Sequence, residues 1–155
     1  MVRALFFEYP EDPTSWLIED QYLFGTDLLV SPLMEEAPDR EVYLPPGSWI
    51  DYQSGKVYEG ARWHRMRAGE LPVALLVRDG AAIPHADLAQ STDEIDWYSL
   101  ELKVFCARAE VAEGLVCLPE NGELHALRVE GANDGFALEA DALQGRVAWR
   151  VVPCS

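Results

Sequence analysis

The feature that most restricts the fold of this chain is the stretch spanning residues 25–51, GTDLLVSPLMEEAPDREVYLPPGSWID, in which every apolar run is short and closed by proline or glycine. Leu28, Leu29 and Val30 lie between Gly25 and Pro32, a run long enough for a buried strand and too short for a helix. After a charged loop, residues 35–39, a second strand over residues 41–44 stops at Pro45-Pro46-Gly47, because each proline fixes φ and removes a ladder donor. Residues 49–52 restart an extended run, and Ser54-Gly55-Lys56 turns the chain into Val57 and Tyr58. Strand, turn, strand is the rhythm that follows.

Residues 61–66 alternate around Trp63, and residues 74–77 form a compact apolar run before the turn Arg78-Asp79-Gly80. Ala81, Ala82 and Ile83 end at Pro84, and a polar connection between His85 and Asp96 reads as a long surface loop. Leu100, Leu102, Val104 and Cys106 alternate with Glu101, Lys103, Phe105 and Ala107, the pattern of a strand with one apolar face. Strands over residues 124–129, 136–138 and 147–151, separated by turns at Asn133-Asp134-Gly135 and Gln144-Gly145, complete the set. Upstream, residues 2–9 are apolar except at Arg3 and Glu8, as in a strand buried on both faces. Asp12-Pro13 supplies an N-cap and a first helical residue and Gly25 a stop, so the segment between reads as helical. The fold class is therefore mostly β: an antiparallel β-sandwich with a short N-terminal βα remnant and a second small β domain.

Four motifs in order carry a family resemblance: RALFFEYPEDP (residues 3–13), DQYLFGTDLLVSPL (20–33), EVYLPPGSWIDYQSGKVYEGARW (41–63) and LPVALLVRDGAAIP (71–84). Together they resemble glycoside hydrolase family 31, at the point where the catalytic barrel of those α-glycosidases ends and the C-terminal β-sandwich begins. WYSLELKVFCARAEVAEGLVCLPENGEL (97–124) looks most like the α-xylosidase branch. The resemblance implies three parts: residues 1–27 as the end of a (β/α)8 barrel, 28–109 as a proximal C-terminal sandwich, and 110–155 as a distal β domain. A whole barrel needs roughly 250 residues, and the chain has 155. No motif for either catalytic aspartate of the family occurs in it, so the resemblance carries no catalytic residue onto this sequence. Arg3 falls in the motif near the barrel's end, where it implies a structural role.

The residues themselves point the same way. Retaining glycosidases need two carboxyl groups about 5 Å apart across the scissile bond. The acidic pairs here, Glu11-Asp12, Glu19-Asp20, Glu35-Glu36 and Asp93-Glu94, are sequence neighbours in loops, where carboxylates serve solubility. His64, His85 and His125 do not cluster at metal-ligand spacing, and no phosphate-binding loop or nucleophile elbow is present, so no metal or other cofactor is expected. Cys106, Cys117 and Cys154 lack C-x-x-C spacing and read as thiols of a reducing compartment, which, with no signal-like leader in view, gives a cytoplasmic expectation. A net charge of −15, spread along the chain, repels phosphate backbones and anionic headgroups, which argues against nucleic acid and membrane partners and leaves neutral sugars open. Trp49, Tyr52, Tyr58 and Trp63 sit where strands of a sandwich would bury them, and Trp97 and Tyr98, beside the long loop, are the candidate carbohydrate contacts.

Two readings follow. In the first, the chain is the structural C-terminal β-sandwich portion of an α-glycosidase, α-xylosidase- or α-glucosidase-like, whose partner is the catalytic barrel of the same or a related enzyme. In the second, it is a free-standing, non-catalytic carbohydrate-binding or protein-interaction sandwich. The first predicts a large exposed apolar patch and self-association through residues 2–9 or the barrel-facing side. The second predicts a small aromatic platform on a polar face.

Overall fold

In the computed structural model, which describes residues 2–32, 39–67, 72–120, 122–132, 135–140, 143 and 145–154, the chain divides into two compact units, Met1–Asp79 and Gly80–Ser155. The first contains strands β1 (Val2–Arg3), β2 (Tyr22–Phe24), β3 (Leu28–Pro32), β4 (Asp39–Leu44), β5 (Ser48–Asp51), β6 (Val57–Glu59), β7 (Arg62–Arg67) and β8 (Val73–Arg78). Six of them form one antiparallel sheet in the order β1-β2-β3-β8-β5-β6, and β4 and β7 pair as a separate ribbon. Leu23, Leu29, Trp49 and Leu76 from the sheet and Val42, Leu44 and Met66 from the ribbon close one core. Fully burying a side chain of this size stabilises by roughly 1.5–3 kcal/mol, which is what holds sheet and ribbon together. The Pro45-Pro46-Gly47 stop has a second use: the indole N–H of Trp49 donates to the Pro45 carbonyl at 2.9 Å, satisfying a fully buried donor. Gly60 closes on the same turn, and a Cβ there would lie 1.9 Å from the Pro45 oxygen.

The N-terminal segment differs from its sequence reading. Residues 2–9 are not one strand buried on both faces: β1 is two residues long and antiparallel to β2, and a single helical turn, α1 (Leu5–Glu8), follows. β1 is the outermost strand of the sheet, and of the residues in α1 only Leu5 is buried. Asp12 does cap, its carboxylate accepting from the Thr14 N–H at 3.1 Å, but the helix it opens is a 3-10 turn, Pro13–Leu17, that gives way to β2. Tyr22, Leu23 and Phe24 favour a pleated surface and find one against β3, which overrides the expected helix.

The second unit is a six-stranded sheet in the order β13-β12-β11-β9-β10-β14, built from β9 (Ala81–Ala86), β10 (Ser99–Phe105), β11 (Val111–Cys117), β12 (Leu124–Ala132), β13 (Gly135–Glu139) and β14 (Ala148–Pro153). Three of the five neighbouring pairs are antiparallel, while β14 runs parallel to β10 and β11 parallel to β9. The expected alternation in β10 holds, with Leu100, Leu102 and Val104 joining Leu127, Val129 and Leu143 in the core. Strand β9 runs on past Pro84 to Ala86, where the sequence predicted an end. Pro84 is paired with Leu102 on one side only, since β9 meets β11 in register at Ala81 alone, so the missing N–H leaves no ladder broken. β11 lies between β12 and β9 in this sheet. Gly114 looks like a breaker in sequence, yet a Cβ there would lie 1.9 Å from the Ala82 oxygen; the glycine permits two backbones to touch. The predicted turn at Asn133-Asp134 and the loop at Glu35-Glu36 lie outside the described residues. Among the described residues no helix is long and apolar enough to cross a membrane.

Candidate functional site

Asp12 accepts from Thr14 N, from Ser15 Oγ at 2.8 Å and from Tyr43 Oη at 2.7 Å, while Asp20 pairs with Arg40. Asp93 and Glu94 lie in an exposed 3-10 turn, Thr92–Glu94. The histidine rings are apart: His64 reaches the Glu59 carbonyl at 2.7 Å, and His85 reaches the Ile83 carbonyl at 2.8 Å, with burial pushing its pKa down. Cys106, Cys117 and Cys154 are free thiols, and no group of three His, Cys, Asp or Glu among the described residues could hold a metal ion. Trp97 packs against the core of the second unit. Tyr98 is exposed, and its hydroxyl donates to Glu120, which also accepts from Arg146 at 2.6 Å. Trp49 is buried as expected, whereas Trp63 is 51% exposed. Trp63 lies opposite Tyr43 across the ribbon, with ring centroids 5.5 Å apart, while Met66, three residues on and of opposite parity, is the residue of β7 that joins the core.

What the structure does assemble is an apolar face on residues 2–24. Phe7, Trp16 and Leu17 are 68%, 57% and 79% exposed, and Val2 and Phe24, cross-strand partners on β1 and β2, are more than half exposed as well. The aromatic part is one cluster: Phe6 stacks on Trp16 with centroids 4.7 Å apart and contacts Phe7 at 4.5 Å. The sequence marked these residues as apolar but not as exposed, because an unbroken run carries no alternation to say which side faces water.

Several polar groups of the same segment are tied to the rest of the unit. Gln21, buried, donates to the Tyr43 carbonyl at 2.7 Å and accepts the Tyr43 N–H at 2.8 Å, so its amide imitates a strand neighbour of β4. Arg3 donates to the Gly25 carbonyl at 2.9 Å and pairs with Glu8 at 3.3 Å. Arg78 pairs with Glu8 at 3.7 Å, donates to the Thr26 carbonyl at 3.0 Å and lies over the rings of Tyr9 and Trp49. Around Tyr43, burial together with the bond to Asp12 pushes the phenol up to about 12. Burial alone would raise the Asp12 carboxyl, but the hydrogen bonds from Tyr43, Ser15 and Thr14 outweigh it and hold the carboxyl below its ordinary range. Glu8, Tyr9, Asp12, Tyr43 and Ala61 line an open hollow of about 520 Å³ beside this latch, and its carboxylates are largely engaged already.

The first unit thus combines exposed apolar side chains on its N-terminal segment with polar contacts that tie the same segment to the sheet. The chain belongs to glycosyl hydrolase family 31: the family's C-terminal domain matches residues 1–83, which include the N-terminal segment. It is 36% identical over 97 residues to alpha-glucosidase 2 of Bacillus thermoamyloliquefaciens, covering 62% of this chain and 12% of that protein. Alpha-xylosidase XylQ of Lactiplantibacillus pentosus is 27% identical over 154 residues, 94% of this chain and 19% of the relative. Among solved structures, a family 31 dextranase of Flavobacterium johnsoniae in complex with glucose superposes with a TM-score of 0.76 at 27% identity, over 88% of this chain and 18% of that one. The family 31 alpha-xylosidase of Xanthomonas citri does so with a TM-score of 0.71 at 26% identity, over 99% and 18%. The chain thus spans less than a fifth of the length of each of these proteins.

Proposed function

We propose that this chain is the C-terminal β-sandwich portion of an α-glycosidase, α-xylosidase- or α-glucosidase-like, and that its part in O-glycosyl hydrolysis is architectural. The observation that carries the reading is the exposure of Phe7, Trp16, Leu17, Val2 and Phe24 on a segment that Gln21 and Glu8 tie to the rest of the unit. Exposed apolar patches of this kind mark a surface that seeks a partner, and the partner of matching chemistry is the apolar flank of a catalytic barrel, in the same or a related enzyme. Where no barrel is supplied, the same face brings two copies together. By itself the chain is expected to be catalytically silent, since its sequence carries no motif for either catalytic aspartate of the family and a retaining glycosidase needs both carboxyl groups.

The test is complementation. A family 31 hydrolase stripped of its C-terminal domain is assayed on α-xylosides and α-glucosides with and without this chain. The chain alone gives no turnover, the pair regains it, and Trp16→Asp with Leu17→Asp abolishes the rescue while leaving the circular dichroism of the chain intact. Turnover by the chain alone, surviving further purification, would sink the architectural reading. The competing reading, a carbohydrate platform at Trp97 and Tyr98, rests on the exposure of Tyr98; it requires that Tyr98→Ala weaken retention on a polysaccharide column, and unchanged retention removes it.

A further inference from the structure

The outer face of the second sheet carries a hollow of about 310 Å³ at the top of the parallel pair β10-β14, at the lower end of the roughly 300–1,000 Å³ that small-molecule sites span. Register explains why it is there. Ser99 lies opposite Ala148, and Glu101 lies opposite Arg150 on one side and His85 on the other. These two cross-strand pairs, Ser99 with Ala148 and Glu101 with Arg150, line the hollow two residues apart along the strands. Asp87, just beyond the end of β9, lines the hollow as well.

The Glu101–Arg150 pair is formed before any ligand arrives. Glu101 is only 20% exposed and is held by Arg150 and, at 4.0 Å, by Lys103, so its carboxylate does not have to be ordered on binding. Asp87 has no ion-pair partner among the described residues. The local charges cancel, Asp87 and Glu101 against Arg150 and Lys103, so neither an anion nor a cation is attracted for its charge. The hollow instead alternates strong acceptors, the two carboxylates, with donors, the guanidinium and the Ser99 hydroxyl. The ligands that suit such a lining are neutral and carry groups that both donate and accept on adjacent atoms.

From this alternation we infer that the Asp87, Ser99, Glu101 and Arg150 hollow is a non-catalytic binding site for one ring of a neutral polyhydroxylated ligand, a sugar, with vicinal hydroxyls bridging Glu101 and Arg150. It starts at the residue after Tyr98, whose carbonyl accepts the Ala148 N–H at 2.7 Å, and it is independent of the docking role of residues 2–24. The experiment is a titration of the full chain with xylose, glucose and isomaltose, followed by amide shifts, with sulfate and calcium as charged controls. Saturable shifts confined to Asp87, residues 99–101 and residues 148–150, produced by a sugar and not by the controls, are expected. Asp87→Ala and Glu101→Gln should each weaken them about tenfold or more, as the loss of a hydrogen bond to a charged group does. Both residues lie on the outer face, and an unchanged melting temperature for Asp87→Ala confirms that binding, not folding, was altered. Absence of sugar shifts at these amides, equal shifts with either charged control, or wild-type affinity in both variants would each overturn the assignment.

Discussion

The two units place their charges on opposite sides of the same kind of sheet. In the second, alternation does what a half-buried strand asks of it: Leu127 and Val129 face the core while Arg128 and Glu130 face water. In the N-terminal part of the first, the order is inverted. Glu8, Arg3, Arg78 and Gln21 are drawn in against the sandwich, and Phe7, Trp16 and Leu17 are left outside. Desolvating ions is costly, so such an arrangement persists only where the ions are mutually paired and hydrogen-bonded, as the Arg3, Glu8 and Arg78 group is. The second unit leaves Leu88, Leu115 and Leu124 exposed as well, so what sets the first apart is an exposed aromatic cluster, Phe7 and Trp16 around Phe6, beside a group of paired ions, the combination on which the proposed docking role rests.

The largest expected effect tests whether the two cores are separate. Trp49→Ala removes the largest fully buried side chain of the first unit and should cost about 3–5 kcal/mol, and Leu102→Ala in the second about 2–5 kcal/mol. Measured by hydrogen exchange, Trp49→Ala should release the amides of β3 and β8 and leave those of β10 and β11 protected, and Leu102→Ala should do the reverse. Simultaneous loss of protection in both units for either variant would break the comparison, because it would make one core out of two.

A smaller effect sharpens it. Asp12→Ala removes the cap and the acceptor of Tyr43 and should cost about 0.5–2 kcal/mol; Tyr43→Phe should cost about 0.5–1.5 kcal/mol. The pH dependence has a definite sign at each end. The folded-state pKa of Asp12 is depressed below 3.8, so its contribution is present above that value and is lost as pH falls through the folded pKa. For Tyr43 the folded value is raised from 10.0 to about 12, so its contribution is complete below pH 10 and is lost as pH rises through about 12. Melting temperature against pH should therefore fall at both ends in the native chain. In Asp12→Ala the acid-side loss tied to this latch should be smaller; an acid limb identical in the two proteins would show that the latch contributes nothing.

Much of the fold was legible because it rests on local punctuation. Pro45-Pro46-Gly47 ends β4 and Gly55 turns β5 into β6, with φ +71 at the glycine. The alternation of Leu100, Leu102 and Val104 gives the face of β10 directly. What sequence could not show depends on partners distant in the chain. Whether Pro84 ends a strand depends on how far β11 runs alongside it, and whether Gly114 breaks a strand or lets Ala82 approach depends on a contact made across the sheet. The candidate face failed to appear for a related reason. A run such as residues 4–7 is equally apolar whether neighbours cover it or not, and Arg78, which pins the segment from β8, lies some seventy residues away in sequence, where no spacing rule reaches.

The smallest expected effect lies on the charged side of the comparison. Arg128 on β12 is within 3.5 Å of Glu113 on β11, 2.8 Å of Glu130 and 3.9 Å of Glu139 on β13, and these acids raise its pKa, the bond to Glu130 first. Three carboxylates around one guanidinium look like a clasp joining three strands, yet every member stands in water, where ion pairs are weak and salt screens them. The strands are already joined by continuous ladders, β11 to β12 and β12 to β13, and by Leu127 and Val129 beneath. Arg128→Met should therefore shift the melting temperature only slightly at low ionic strength, and not measurably at high salt. A large shift that survives salt would mean that the charges hold this sheet together as the Glu8 group holds the N-terminal segment, and the contrast between the two units would lose its physical basis.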